Sequence, residues 1–182
     1  VHAGMPVLLL SAGQAGATAP ASIAGAVAQA LAEVIAGLIY VNAMKPGYPC
    51  ICGTWPFVSD LRTGAMSGGS GEQGLLTAAC AQMLQYYDLP GGAAAGMADS
   101  KMPDAQSGYE KGSTLVMAGL SGLNMVYEAA GMHASLLGFC LESLIIDNDM
   151  LGQCLRCVRG VEVNDTTCLL YTSDAADETV SV

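Results

Sequence analysis

The chain has 182 residues, of which 52% are hydrophobic and only 12% charged, enough for one domain with a sizeable core. That balance excludes a disordered chain, which needs low hydrophobicity and high charge. A formal net charge of −10 with only 6 Lys and Arg argues against nucleic-acid binding through phosphates and against polybasic attachment to lipid, because no cationic stripe exists to release counterions.

In chain order, Val7–Ser11 reads as a short apolar strand, followed by a small-residue loop. Pro20 opens a long helix that runs to Met44, where Lys45-Pro46-Gly47 ends it. This is the best candidate for a membrane span, but Gln29 and Glu33 interrupt it and its apolar content is largely Ala, so an amphipathic core helix is expected. Pro49–Gly53 is a second strand. A glycine-rich loop through Trp55, Asp60, Arg62 and Gly68–Gly71 leads to a helix over Glu72–Asp88. Its expected apolar face is Gln73, Leu75, Leu76, Ala79, Cys80, Met83 and Leu84.

Gly92–Met97 is a third, small-residue strand, Ala98–Ser107 a loop, Gly108–Gly122 a helix and Leu123–Tyr127 a fourth strand. Leu136–Ser143 fits strand and helix equally well. Asp147–Arg159 closes as a helix with Asp147 as N-cap and Gly160 beyond its C-terminus. The stretch Cys168–Glu178 matches no pattern in the rest and resembles a translated sequencing adapter. The natural domain is therefore expected to cover 1–167, with 168–182 a non-native tail.

Strand, loop and helix repeated four times imply parallel strands with crossover helices. A closed (β/α)8 barrel takes about 250 residues, so four units make half of one. An open doubly wound sheet is the alternative, though no Gly-x-Gly-x-x-Gly follows the first strand. The seven Cys sit mostly in apolar runs and read as buried thiols of a reducing cytoplasm, with no secretory signal and no zinc site. Ile51, Leu155 and Arg156 between the paired cysteines are not the turn formers that structural zinc prefers.

Several segments resemble the trimethylamine methyltransferase family. They are Gln14–Pro20, Asp60–Ala65, Gly96–Glu110, Gly119–Ser135 and Leu155–Val163, in order along nearly the whole chain before the tail. The resemblance implies the C-terminal half of a (β/α)8 barrel. It implies transfer of a methyl group from trimethylamine or a quaternary amine such as glycine betaine to the Co(I) centre of a separate corrinoid protein, the chemistry of methylamine metabolism and methanogenesis. No cofactor would then be bound by this chain itself, and a homo-oligomer is compatible with it. Founding members of the family use pyrrolysine; none occurs in this sequence, and Asp99–Asp104 is a candidate neighbourhood for its position.

Barrel active sites lie in the loops beyond the strands' C-terminal ends. A cationic amine suits aromatic faces and carboxylates. Those loops supply Lys101, Glu128 and His133 as catalytic candidates, and Gln14, Trp55, Phe57, Asp99, Asp104, Gln106 and Tyr109 as substrate-binding candidates. Each has a plainer reading. Trp55 and Phe57 could cover apolar surface, Asp60 and Arg62 could form a loop salt bridge, Asp104 could cap a helix, Lys101 could pair with Asp99 or Asp104, and His133 could be a structural histidine. Glu128, at the end of an apolar strand, is the hardest to explain as structural, because a buried carboxylate needs a partner. The Gly68–Gly71 loop could cradle phosphate but lacks the Lys-Ser/Thr of a P-loop, so close approach to a ring or simple flexibility is preferred. Two other classes stay open: a barrel that binds small molecules or serves as a scaffold without catalysis, and an inactive fragment whose open edges drive association.

Overall fold

The computed structural model describes residues 1–168, so the expected tail beyond Cys168 lies outside the described residues. In chain order the elements are β1 (Val7–Ser11), β2 (Gln14–Ala15), α1 (Ile23–Met44), β3 (Cys50–Thr54), β4 (Phe57–Ser59), β5 (Met66–Ser67), α2 (Gly71–Tyr86), β6 (Gly91–Ala94), α3 (Ala105–Leu120), β7 (Met125–Tyr127), β8 (Met132–His133), β9 (Gly138–Phe139), α4 (Leu141–Arg159) and α5 (Asp165–Cys168).

The four long units form one parallel sheet in the order β1-β3-β6-β7, so each crossover joins neighbouring strands. The crossover helices pack side by side in the same order, α1 on α2, α2 on α3 and α3 on α4. A doubly wound sheet reverses its strand order and covers both faces. Sequential order with a single row of helices is instead the arrangement of a partial (β/α)8 barrel.

The residues explain which face is which. Leu9 points outward, where Gly37 of α1 leaves room for it; a Cβ on Gly37 would sit 3.2 Å from the Leu9 side chain. Its neighbours Leu8 and Leu10 alternate to the inner face and are 45% and 48% exposed. α1 buries Ala26, Val27, Ala30, Leu31, Val34 and Val41 at helical spacing. Burying side chains the size of Val34 and Leu31 contributes roughly 1.5–3 kcal/mol each. The helix is long and apolar enough to cross a membrane, yet here that face lies on β1, β3 and α2. Ser22 caps its start by accepting from the Gly25 amide at 3.3 Å. Lys45 is extended, as a residue before proline must be, and ends it.

β6 is Gly91-Gly92-Ala93-Ala94, buried throughout, because bulky side chains crowd both faces. Leu84 and Leu123 lie against its outer side, and Tyr127 and Ile51 against its inner side. Gly96 follows at φ +85°, and a Cβ there would stand 2.8 Å from the carbonyl oxygen of Ala129. Gly96→Ala therefore combines a left-handed backbone with a backbone clash. It is expected to lower the free energy of unfolding by about 1–3 kcal/mol, read by urea denaturation.

Several boundaries differ from expectation. The third strand ends at Ala94 rather than Met97. α3 starts at Ala105, three residues before the expected Gly108, because Asp104 and Ser107 form a reciprocal capping box. α4 starts at Leu141, so Asp147 is no N-cap: it lies in the second turn, buried, and the capping position falls on Cys140 with no side-chain bond. The ambiguous 136–143 stretch divides between β9 and this first turn. On α2, Leu75 is 52% exposed, while Gly74, Thr77 and Ala81 join the buried face. Of the cysteines, Cys52, Cys80 and Cys154 are buried, Cys50 and Cys140 half-buried, and Cys157 and Cys168 exposed. The short strands β2, β4, β5 and β8 were not expected. β2, β4 and β5 form a small sheet at the strands' C-terminal end, and β8 and β9 form a hairpin.

Candidate functional site

The chain leaves the parallel strands at Ser11, Thr54, Ala94 and Tyr127, all at one end of the sheet. There the Trp55 amide donates to the Ser11 carbonyl at 2.8 Å, and the Phe57 amide donates to Gly13 at 2.9 Å. Buried Gln73 of α2 donates to the Pro56 carbonyl at 2.9 Å and fixes the turn between the two aromatics. Gln14 pairs in register with Phe57.

Trp55 packs on Phe57 with ring centroids 4.7 Å apart, and on Tyr127 edge-on at 5.8 Å. Ala94, Met97, Met66, Met132 and Leu136 pack around this trio. Gly92 makes room for it, since a Cβ there would lie 3.1 Å from the Tyr127 ring. Glu128 follows directly at φ +63°, a conformation that costs a residue with a side chain about 1–3 kcal/mol. Among the described residues none bonds to Trp55 Nε1, Tyr127 Oη or Glu128 Oε2, although all three atoms are shielded from solvent. Burial pushes the Glu128 carboxyl above the ordinary glutamate value. Burial first, and the Glu128 charge second, push the Tyr127 hydroxyl up as well.

Beside the aromatic trio lies an open groove of about 980 Å³, lined by residues that include Val58, Met66, Ser67, Asp99, Lys101 and Ser135. It shares Met66 and Leu136 with the aromatic cluster. Asp99 joins three loops along its floor. One oxygen accepts from the Gly68 amide at 2.7 Å, the Gly69 amide at 3.2 Å and the Ser135 hydroxyl; the other accepts from the Ser67 hydroxyl at 2.5 Å. The Gly68-Gly69 cradle is thus filled by the chain's own carboxylate. Ala134, Ser135 and Leu136 all have positive φ, so the groove's rim is a strained run held in place by such bonds.

Trp55, Phe57 and Gln14 therefore meet at the strands' C-terminal end, Glu128 follows Tyr127 there, and Asp99 and Lys101 line the adjoining groove. Lys101 is exposed and, among the described residues, pairs with neither Asp99 nor Asp104. The other candidates lie elsewhere. Asp104 caps α3, and its hydrogen bonds to the Ser107 amide and the Ser100 hydroxyl hold its carboxyl below the usual range. Gln106 donates to Glu110 at 2.8 Å along the same helix, and Tyr109 is 66% exposed there; neither lines the groove. His133 is enclosed. Its Nε2 lies 2.5 Å from the Ser143 hydroxyl and its Nδ1 3.2 Å from the Ser100 carbonyl, the geometry of a structural histidine rather than of an acid or base open to substrate. Asp60 and Arg62 form the exposed loop ion pair at 3.1 Å, and that bonding holds the Asp60 carboxyl low.

Residues not singled out from sequence matter as much. Tyr127 completes the aromatic trio and could have been read from its place beside Glu128. Lys111 donates to Asp147 at 2.6 Å and lies 3.4 Å from His133 Nε2, all buried. Asp147 also accepts from the Gly131 amide at 2.7 Å, so this network anchors the turn after Glu128 to α3 and α4. Buried Glu110 accepts from the amides of Asp99 at 2.8 Å and Ser100 at 3.2 Å and sets the groove floor. Among the described residues no group of three or more His, Cys, Asp or Glu side chains is placed to hold a metal ion.

The model of the trimethylamine methyltransferase (MTTB) family matches residues 1–179. The chain belongs to that family. Among curated relatives it is 39% identical over 159 residues to glycine betaine methyltransferase of Desulfitobacterium hafniense strain Y51, covering 87% of this chain and 33% of that protein. It is 35% identical over 164 residues to trimethylamine methyltransferase MttB of Methanosarcina thermophila, covering 90% and 34%. A trimethylamine methyltransferase MttB of Desulfitobacterium hafniense strain DCB-2 is 34% identical over 166 residues. The chain spans about a third of the length of these relatives.

Proposed function

We propose that the protein carrying this chain moves a methyl group from trimethylamine or a quaternary amine such as glycine betaine to the cobalt of a corrinoid held by a cytoplasmic partner protein. One observation supports this above all: in a chain of this family, Trp55, Phe57 and Tyr127 meet beside Glu128 at the end of the sheet where barrel enzymes do their chemistry.

A methylated ammonium offers a diffuse positive charge and no strong hydrogen bonding, so it is recognised by ring faces and a carboxylate in a water-poor pocket. The three aromatics supply the faces, Glu128 the countercharge, and Met66, Met97 and Leu136 exclude water. The partner's corrinoid, when docked, supplies the methyl acceptor. The open groove suits a bulky flat group, with Val58, Ala65, Met66 and Leu137 offering apolar contact, and Asp99 keeps its floor in shape. Positioning and desolvation are the chain's contribution, because the acceptor brings its own nucleophilicity.

The full-length protein, its reduced corrinoid partner and candidate amines are expected to yield methyl–cobalt absorbance with at least one amine. Absence with every amine rejects the reading. Trp55→Ala is expected to lower kcat/KM by about tenfold, since a desolvated cation–ring contact is worth roughly 1–2 kcal/mol, whereas Trp55→Phe retains most of it. Initial rates across amine concentrations check both variants.

A further inference from the structure

Glu128 poses an electrostatic problem that the proposed reaction does not by itself resolve. Its Oε2 is shielded from solvent and, among the described residues, has no hydrogen-bond donor. With that oxygen shielded, the charged form of Glu128 is disfavoured, and a cation held against Trp55, Phe57 and Tyr127 would relieve it. Together they form an ion pair at far lower cost.

We propose, resting on the reading above, that in the empty site Glu128 keeps its proton, and that a methylated ammonium bound against the exposed edge of the Trp55–Phe57–Tyr127 cluster displaces the Glu128 proton to solvent. The O–H bond of the carboxyl breaks, its proton passes to water or buffer, and the carboxylate stays as the cation's partner. The site is electrically neutral before and after. Glu128 is thereby a specificity-determining residue: it rewards a permanent positive charge rather than amine shape alone.

Other titratable groups lie around Glu128. On its own strand the Tyr127 hydroxyl is pushed up by burial and by Glu128 itself. From α2, the Cys80 thiol is pushed up to about 11 by burial. Lys111 of α3 and Asp147 of α4 are engaged with each other, and His133 with Ser143 and Ser100. Beyond β6, Asp99 is engaged with Ser67, Gly68, Gly69 and Ser135, and Glu110 with the Asp99 and Ser100 amides. The desolvation that disfavours the charged form of Glu128 points the same way.

The sign follows. Below the empty-site pKa, binding must remove a proton, so affinity for a cation rises about tenfold per pH unit. Above it Glu128 is already ionised, and affinity is flat.

Calorimetric titration of tetramethylammonium into the full-length protein, in two buffers of different ionisation enthalpy over a range of pH, tests this. About one proton released per cation is expected on the rising limb and none on the plateau. Glu128→Gln is expected to bind more weakly, with no proton release and no slope. Binding without proton release at any pH, or release that persists in Glu128→Gln, overturns the coupling while leaving the amine site intact. Absence of tetramethylammonium binding removes the amine site and the coupling with it. The wild-type buffer pair decides even where the variant does not fold.

Discussion

Replacing Lys111 by Met is expected to destabilise the fold by about 3–5 kcal/mol, the largest effect of any single change considered for this chain. The Nζ lies 2.6 Å from Asp147, and the two side chains are 1% and 5% exposed. Removing the cation strands a carboxylate that, among the described residues, keeps only the Gly131 amide as donor. The Met side chain fills most of the vacated volume, so the loss measures charge rather than a cavity. The pair itself need not be strongly stabilising, because both ions lose hydration on burial. Combining Lys111→Met with Asp147→Leu is therefore expected to recover much of the loss. Urea denaturation of the single and double variants checks this; additive losses would show that the two side chains do not act as a pair.

Asp99→Ala is expected to cost about 2–4 kcal/mol, and it acts on the groove rather than on α3 and α4. Four donors from two other segments, Ser67–Gly69 and Ser135, converge on that carboxylate. Hydrogen bonds to a charged group are worth roughly 1.5–3 kcal/mol each, and water replaces part of that in a half-open groove. The local consequence is larger than the global one. Ala134, Ser135 and Leu136 hold left-handed backbones that relax once the Ser135 hydroxyl loses its acceptor. Faster amide exchange at Gly68, Gly69 and the 134–137 segment is expected, with the interior of α1 unchanged. Unaltered exchange in those loops would show that Asp99 does not hold them.

The first strand, the long helix after Pro20, its stop at Lys45-Pro46-Gly47 and the glycine closing α4 were legible because each is written in local chemistry, although the helix starts at Ile23, behind a Ser22 cap that was not expected. Apolar period, a capping hydroxyl, a proline and a left-handed glycine act within a few residues of one another. The start of α3 was written there too, in Asp104 and Ser107, but the helix was placed too late. Asp147 misled for the opposite reason: an aspartate before an amphipathic stretch imitates a cap, and only a lysine thirty-six residues earlier in the chain shows that it serves a buried ion pair.

By itself the sequence determined the alternation of strands and helices, the family, and the placement of Trp55, Phe57 and Glu128 beyond strand ends, because periodicity, turn chemistry and ordered motifs are properties of neighbouring residues. Tertiary structure alone decided that Asp99 fills the Gly68-Gly69 cradle and that His133 is walled in by Ser100 and Ser143. Those outcomes turn on which side chains the sheet order and helix packing bring within bonding distance. The cost of burying a polar atom is then settled by whether a partner from a distant segment arrives.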